Sequence, residues 1–248
     1  MAQFDYPGRI EEAVELGDLI FICTLVAESK RFFERMTISQ FKKDNKTKKI
    51  FSWTINNDKQ LYLLSRFPKF KCVEGVLPKR DYCLSNTSGC LGSYGLIQEM
   101  GDFTFVSATC LDALLGKTKT IRKNELYGKS ASHEELLVDG FIIDNCQLCL
   151  ETYKFANDYL SLNIGEPTVV NYVNQNLQAR AILGDLAHSM RAQTKKGAVP
   201  KGFMKFLDSF KEFPYSDGFG QDDRLDDLAP SDENSGIGIV HTTVRLGG

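Results

Sequence analysis

Apolar positions recur at spacings of four and three between Ser132 and Leu162, where Ile142, Cys146, Cys149, Tyr153, Ala156 and Leu160 fall on one stripe of an α-helix. Ser132 with Glu135 three residues on has the form of a capping box, and Gly140 lies between that cap and the stripe, where a short first helix would kink or break. Val169, Val173 and Leu177, followed by Ile182 or Leu183, Leu186 and Met190, continue a helical spacing after Gly165-Glu166-Pro167. The two helices are expected to pack antiparallel across a short loop, and Phe203, Phe206, Leu207 and Phe210 predict a last amphipathic helix before Pro214.

The first half of the chain alternates instead. Leu19 to Val26 is rich in β-branched and aromatic residues and predicts a strand. Phe51, Trp53 and Ile55 alternate ahead of Asn56-Asn57-Asp58, which with Leu61 to Phe67 reads as a hairpin. Tyr94 to Met100 and Phe103 to Cys110 flank Gly101-Asp102, a two-residue connection suited to a hairpin turn. Arg9 to Leu16 reads as a short helix. Glu28 to Phe41 fits both periods and is assigned to a helix on Phe32, Phe33, Met36 and Phe41. Pro68 to Gly95 reads as loop or short edge strands, Leu111 to Leu115 as a helix start, and Ile237 to Leu246 as a terminal strand or a peptide that adds to a sheet edge.

The fold class expected from this pattern is α+β: a β-hairpin-rich region over residues 1–130, a helical region over 131–215 packing on it, and a disordered acidic tail over 216–248. Composition agrees with a globular chain, since 42% of the 248 residues are hydrophobic and 25% charged. The longest unbroken apolar run, Leu19 to Cys23, is far short of the roughly 18 residues that span a bilayer, and acidic residues precede it where a secretory signal would be basic. The chain is therefore expected in the cytoplasm or nucleus, not secreted, with its seven cysteines reduced.

Charge is uneven along the chain. Residues 216–248 carry seven acidic and two basic side chains, a net of −5, which leaves +3 on residues 1–215 by difference from the chain's −2. Lysines interleaved with Phe, Tyr or Gly occur in several stretches, and Lys42, Lys43, Lys48, Lys49, Lys195, Lys196 and Lys201 are the candidate phosphate contacts, with aromatic rings available to stack on unpaired bases. An acidic tail would compete with phosphate for those cations.

Other motifs carry less chemistry. Cys146-x-x-Cys149 lacks the second ligand pair of a zinc site, so no metal and no cofactor are expected. Gly116-Lys117-Thr118 lacks the glycine a phosphate-binding loop needs at position 111, which is Leu, and the glycine-rich stretch Gly89 to Gly95 precedes a strand and reads as a turn. His133, His188 and His241 sit in unrelated contexts, and no nucleophile elbow occurs. Arg245-Leu-Gly-Gly248 resembles the diglycine ending of ubiquitin-like modifiers and the site that papain-type viral proteases leave on polyprotein products; four residues assign no family. The function expected is a non-enzymatic RNA-binding or assembly protein, of the sort small viral structural or accessory proteins represent, with single-stranded RNA and further copies of itself as partners. The rival is a protein–protein interaction or regulatory factor released from a polyprotein and acting through its C-terminal tail.

Overall fold

A computed structural model of the chain describes residues 1–45, 51–75, 77–99, 102–117, 119–123, 136–139, 141–143, 149–194, 206, 208–209 and 237–246. In chain order these residues form β1 (Ala2–Tyr6), β2 (Arg9–Val14), β3 (Leu19–Ala27), β4 (Lys30–Lys43), β5 (Ser52–Thr54), α1 (Asp58–Arg66), β6 (Phe70–Cys72), β7 (Asp81–Tyr82), β8 (Gly92–Glu99), β9 (Asp102–Ser107) and α2 (Ala108–Leu114). There follow β10 (Thr120–Lys123), β11 (Leu136–Val138), β12 (Phe141–Ile143), β13 (Cys149–Glu151), α3 (Thr152–Leu160), β14 (Glu166–Val170), β15 (Val173–Asn174), α4 (Leu177–Thr194) and β16 (Gly238–Arg245).

The fold is dominated by sheet, and this corrects the expected helical C-terminal half. Leu136–Val138, Phe141–Ile143 and Cys149–Glu151 are short strands where helix, kinked or broken at Gly140, was expected. Only Thr152–Leu160 of that stretch is helical, and it buries Phe155 and Tyr159 while leaving the expected stripe residues Tyr153 and Leu160 exposed. Val169 and Val173 lie on the hairpin β14–β15, turned by Asn171 and Tyr172, both at positive φ, and the helix begins only at Leu177. Arg9–Val14 is a strand paired with β1, not a helix. Asn57 is not a hairpin turn residue but the N-cap of α1, its side chain accepting the Gln60 amide at 3.1 Å. Residues 216–236, the acidic stretch, and the Phe203–Phe213 helix apart from Phe206, Asp208 and Ser209 lie outside the described residues.

β4 is the spine. It was expected as a helix, but Glu28 and Ser29 adopt positive φ and turn the chain back so that β4 pairs antiparallel with β3 over almost its whole length. Its other edge is shared: Glu166–Val170 pairs antiparallel with residues 33–36, and β8 pairs parallel with residues 38–43. β9 and β13 extend the β8 side, β15 the β14 side, and β16 adds parallel to the free edge of β3. Two four-stranded sheets, in orders β2-β1-β6-β7 and β12-β11-β10-β5, attach to this body.

Each face of the main sheet has its own core. On one, Ile20, Ile22, Met36 and Ile38 pack with Leu61, Leu64, Ile182, Leu183 and Leu186 from α1 and α4. On the other, Phe155 and Tyr159 of α3 close over Phe21, Cys23 and Phe105, with Phe155 5.1 Å from Phe21 and 4.9 Å from Phe105 between ring centroids. Trp53, fully buried, ties β5 to the main sheet by donating Nε1–H to the Ile97 carbonyl at 2.9 Å. The backbone of α1 lies directly on β8 at Gly92, where a Cβ would overlap the Leu64 carbonyl. Gly92→Ala should therefore push α1 off the sheet and cost on the order of 2 kcal/mol or more, read as a lowered urea midpoint with an unchanged slope.

Candidate functional site

The most developed polar constellation among the described residues stands where β3, β4, β14 and β16 meet. Arg31 and Glu34 are both buried there and form an ion pair. Three apart on an unbroken strand, they would point to opposite faces. The β3–β4 register slips between Leu25 and Val26, so Phe33 stands opposite Leu25 but Arg31 opposite Val26, and this bulge returns Arg31 to the face of Glu34. A second slip, between Pro167 and Val169, leaves Thr168 as the extra residue of β14 beside Glu34. The Thr168 hydroxyl donates to Glu34 Oε1 at 2.9 Å. Two irregularities in different strands thus serve one carboxylate.

Thr24 connects this pair to the C-terminal strand. Its hydroxyl donates to Glu34 Oε2 at 2.7 Å, accepts from Arg31 Nη1 at 3.1 Å, and lies 3.0 Å from His241 Nε2 on β16. With its one proton committed to Glu34, Thr24 can only accept from His241, which assigns the imidazole proton to Nε2. Nδ1 then faces the Ser209 hydroxyl at 3.5 Å, and the Phe206 ring stands edge-on to the imidazole at 5.5 Å. Arg31 Nη2 also reaches the Ser209 carbonyl at 3.4 Å. Burial first, and then the Arg31 charge, push the His241 pKa down to about 4, against the opposing pull of Glu34. The ring is neutral at pH 7.

This arrangement joins strands and lacks the direct contact between histidine and carboxylate of a general-base pair. A general-base histidine oriented by a carboxylate would touch that carboxylate, whereas Thr24 stands between His241 and Glu34 here, and both Glu34 oxygens are occupied. Cys23, next to this cluster, is held up to about 11 by burial and by the Glu34 charge, which keeps it a thiol. A second buried carboxylate, Glu166, accepts from the amides of Thr87 and Ser88 at 3.2 and 2.8 Å and from both hydroxyls, clamping the loop that leads into the glycine-rich stretch. At the far end of the core, Asp185 of α4 accepts from the Tyr82 hydroxyl at 2.7 Å and pairs with Arg80.

Of the lysines expected to touch phosphate, only Lys42 and Lys43 lie among the described residues. Lys42 and Lys43 are the last two residues of β4, opposite Leu96 and Ile97, and as neighbours on one strand they point to opposite faces. Lys48, Lys49, Lys195, Lys196 and Lys201 lie outside the described residues. Arg9, Arg31, Lys59, Arg66, Lys69, Arg80 and Lys119 are each paired with a carboxylate. Of the histidines, His133 is outside the described residues and His188 lies on α4, while His241, assigned by sequence to the tail, is a core contact. Cys146 is also outside them, and among the described residues no group of His, Cys, Asp and Glu is placed to hold a metal. No described helix is long and apolar enough to cross a membrane. Comparison of the chain with protein-family models, with curated proteins and with solved structures gives no match.

Two outcomes follow from the cluster. Glu34→Ala strands a buried guanidinium and should cost on the order of 3–5 kcal/mol in chemical denaturation. His241 resists protonation when folded, so its contribution to stability is complete above its ordinary value of 6.5 and is lost as pH falls from there toward about 4. His241→Gln should flatten the stability profile across that window, measured as thermal midpoints in a pH series.

Proposed function

We propose that this chain is a non-enzymatic protein–protein interaction and assembly factor whose C-terminal strand is its working element. The observation that carries this reading is the pairing of Gly238–Arg245 with Leu19–Val26, eight residues in continuous parallel register, by a segment separated from α4 by residues 195–237. Strand addition to a sheet edge takes its affinity from main-chain hydrogen bonds and its register from side-chain pockets. Both ingredients are present. The ladder runs the length of β3, and His241 enters the Thr24–Ser209 pocket on one face while Tyr159 reaches the Val240 carbonyl at 3.2 Å from the other.

A segment joined through so long a connection holds its edge by effective concentration as much as by contacts, so it can be displaced by, or offered to, another chain. The described residues offer less support for an RNA reading. Lys42 and Lys43 face opposite ways, and the paired cations above have their charge matched locally.

The test is a chain ending at Ser235, confirmed folded by circular dichroism and offered a labelled peptide of residues 237–246. We expect saturable binding that a His241→Ala peptide reproduces at least tenfold more weakly, a difference of about 1.4 kcal/mol. A folded, truncated chain that ignores the peptide would sink the proposal. Titration of the full chain with labelled single-stranded RNA across a salt series runs alongside, and tight binding that falls steeply with salt would return the phosphate-contact reading to first place.

A further inference from the structure

The edge that β16 turns away from β3 is itself built to receive a strand, and the geometry points to a second copy of this chain as its occupant. The inference rests on the reading of β16 as the working element. The phase of the ladder comes first. Gly238 donates to the Asp18 carbonyl at 2.8 Å and Leu246 to the Val26 carbonyl at 2.9 Å. These donors are an even number of residues apart, and bonds in a parallel ladder recur at every second residue. Gly238, Val240, Thr242 and Val244 therefore direct their N–H and C=O groups toward β3. Ile239, His241 and Thr243 direct theirs outward, where no other strand among the described residues pairs with them.

The composition of that edge is the second observation. Exposed edges are ordinarily protected by lysine, by proline, by an inward-pointing charge or by a bulge. Residues 238–244, Gly-Ile-Val-His-Thr-Thr-Val, contain no lysine, proline or carboxylate, their register with β3 is unbroken, and the strand's one charged residue, Arg245, stands at its end. The strand is also pre-formed, because Ile239 packs on one core and Val244 on the other, while Val240 remains 39% exposed. An edge that is pre-formed, rich in β-branched residues and uncharged over seven residues meets its own copy without like-charge repulsion.

Two such edges related by a twofold axis pair antiparallel. With the axis at Thr242, near the middle of the strand, His241 of each copy stands opposite Thr243 of the other in a hydrogen-bonded pair, and the two Thr242 residues face each other. The two main sheets then run on as one. This interface is isologous and closes at two chains, so it yields a dimer and not a fibre.

The experiment uses the full chain in sedimentation velocity over a concentration series, with Thr243→Pro and Thr242→Pro as paired variants. Proline at 243 removes only an outward N–H, so this variant should keep the wild-type thermal midpoint and remain a monomer at concentrations where the wild type is a dimer. Proline at 242 removes a bond to β3 and should lose both the dimer and the midpoint. In the wild type, amide exchange at His241 and Thr243 should slow as protein concentration rises, which reads the interface without any substitution. A wild-type chain that is monomeric throughout, with concentration-independent exchange at those amides, overturns the inference while leaving peptide rebinding to the truncated chain intact. A Thr243→Pro chain that still dimerises overturns it equally. Wild-type stability in the Thr242→Pro chain would go further and overturn the docked-strand reading on which the inference rests.

Discussion

A carboxylate and a guanidinium buried together under a sheet are tolerable only if every remaining hydrogen-bonding site on them is met, and at Glu34 and Arg31 that requirement reaches across most of the chain. Removing two charges from water costs several kcal/mol apiece, and the attraction between them repays this only when neighbouring dipoles complete the shell. The shell here comes from Thr24 on β3, Thr168 on β14, Ser209 between α4 and β16 in sequence and, through Thr24, His241 on β16. Elements more than two hundred residues apart in sequence are thereby held to one geometry. An apolar substitute for the pair could match its stability but would not dictate which residue of β16 sits over Thr24, and a one-residue slip of that strand would turn His241 to the opposite face.

The same requirement explains why two strands are irregular where they pass Glu34. A bulge leaves an unpaired residue in a ladder and is retained where it aims a side chain that regular geometry cannot. Without the slip at Leu25/Val26, Arg31 would leave the Glu34 face; without the slip at Pro167/Val169, Thr168 would be a ladder residue with its hydroxyl elsewhere. β4 can bear both because it is fourteen residues long and buried against neighbours on each edge, so the ladder lost at the bulges is a small part of the whole.

How much of this was legible in the sequence depended on whether the local pattern and the tertiary environment agreed. The hairpin β8–β9 was readable from the turn signal at Gly101-Asp102, although Asp102 itself is a strand residue opposite Glu99, and β3 was readable because it is β-branched and bounded by Gly17-Asp18 and Glu28-Ser29. The terminal strand was readable as one that adds to a sheet edge, though neither its parallel sense nor its partner was. β4 was misread because a strand buried on both faces has no clean alternation, and Phe32, Phe33, Met36 and Phe41 then admit a helical spacing. The stripe from Ile142 to Leu160 failed for a related reason: short strands followed by a nine-residue helix can reproduce a spacing of three and four by coincidence, and the helix buries Phe155 and Tyr159 instead. Nothing in the sequence marked Arg31 and Glu34 as a buried pair, since the bulge that joins them is a property of two strands and not of one. Charge is conspicuous in a sequence, but the pairing of Lys59 with Glu12, Arg66 with Asp112 and Arg80 with Asp185 joins residues distant in the chain and adjacent only in the fold.

The position of His241 gives the terminal strand a property that an apolar anchor would lack. A Val or Ile at that place would hold β16 by contact alone, equally at any pH. A neutral imidazole donating to Thr24 and facing Ser209 holds it by directed bonds, and a second proton on that ring would sit beside the Arg31 guanidinium with both nearby hydroxyls already engaged. The electrostatic cost of that proton falls on the terminal strand. Burial of the ring first, and the Arg31 charge second, thus make the attachment of this strand depend on pH, which a purely apolar contact would not.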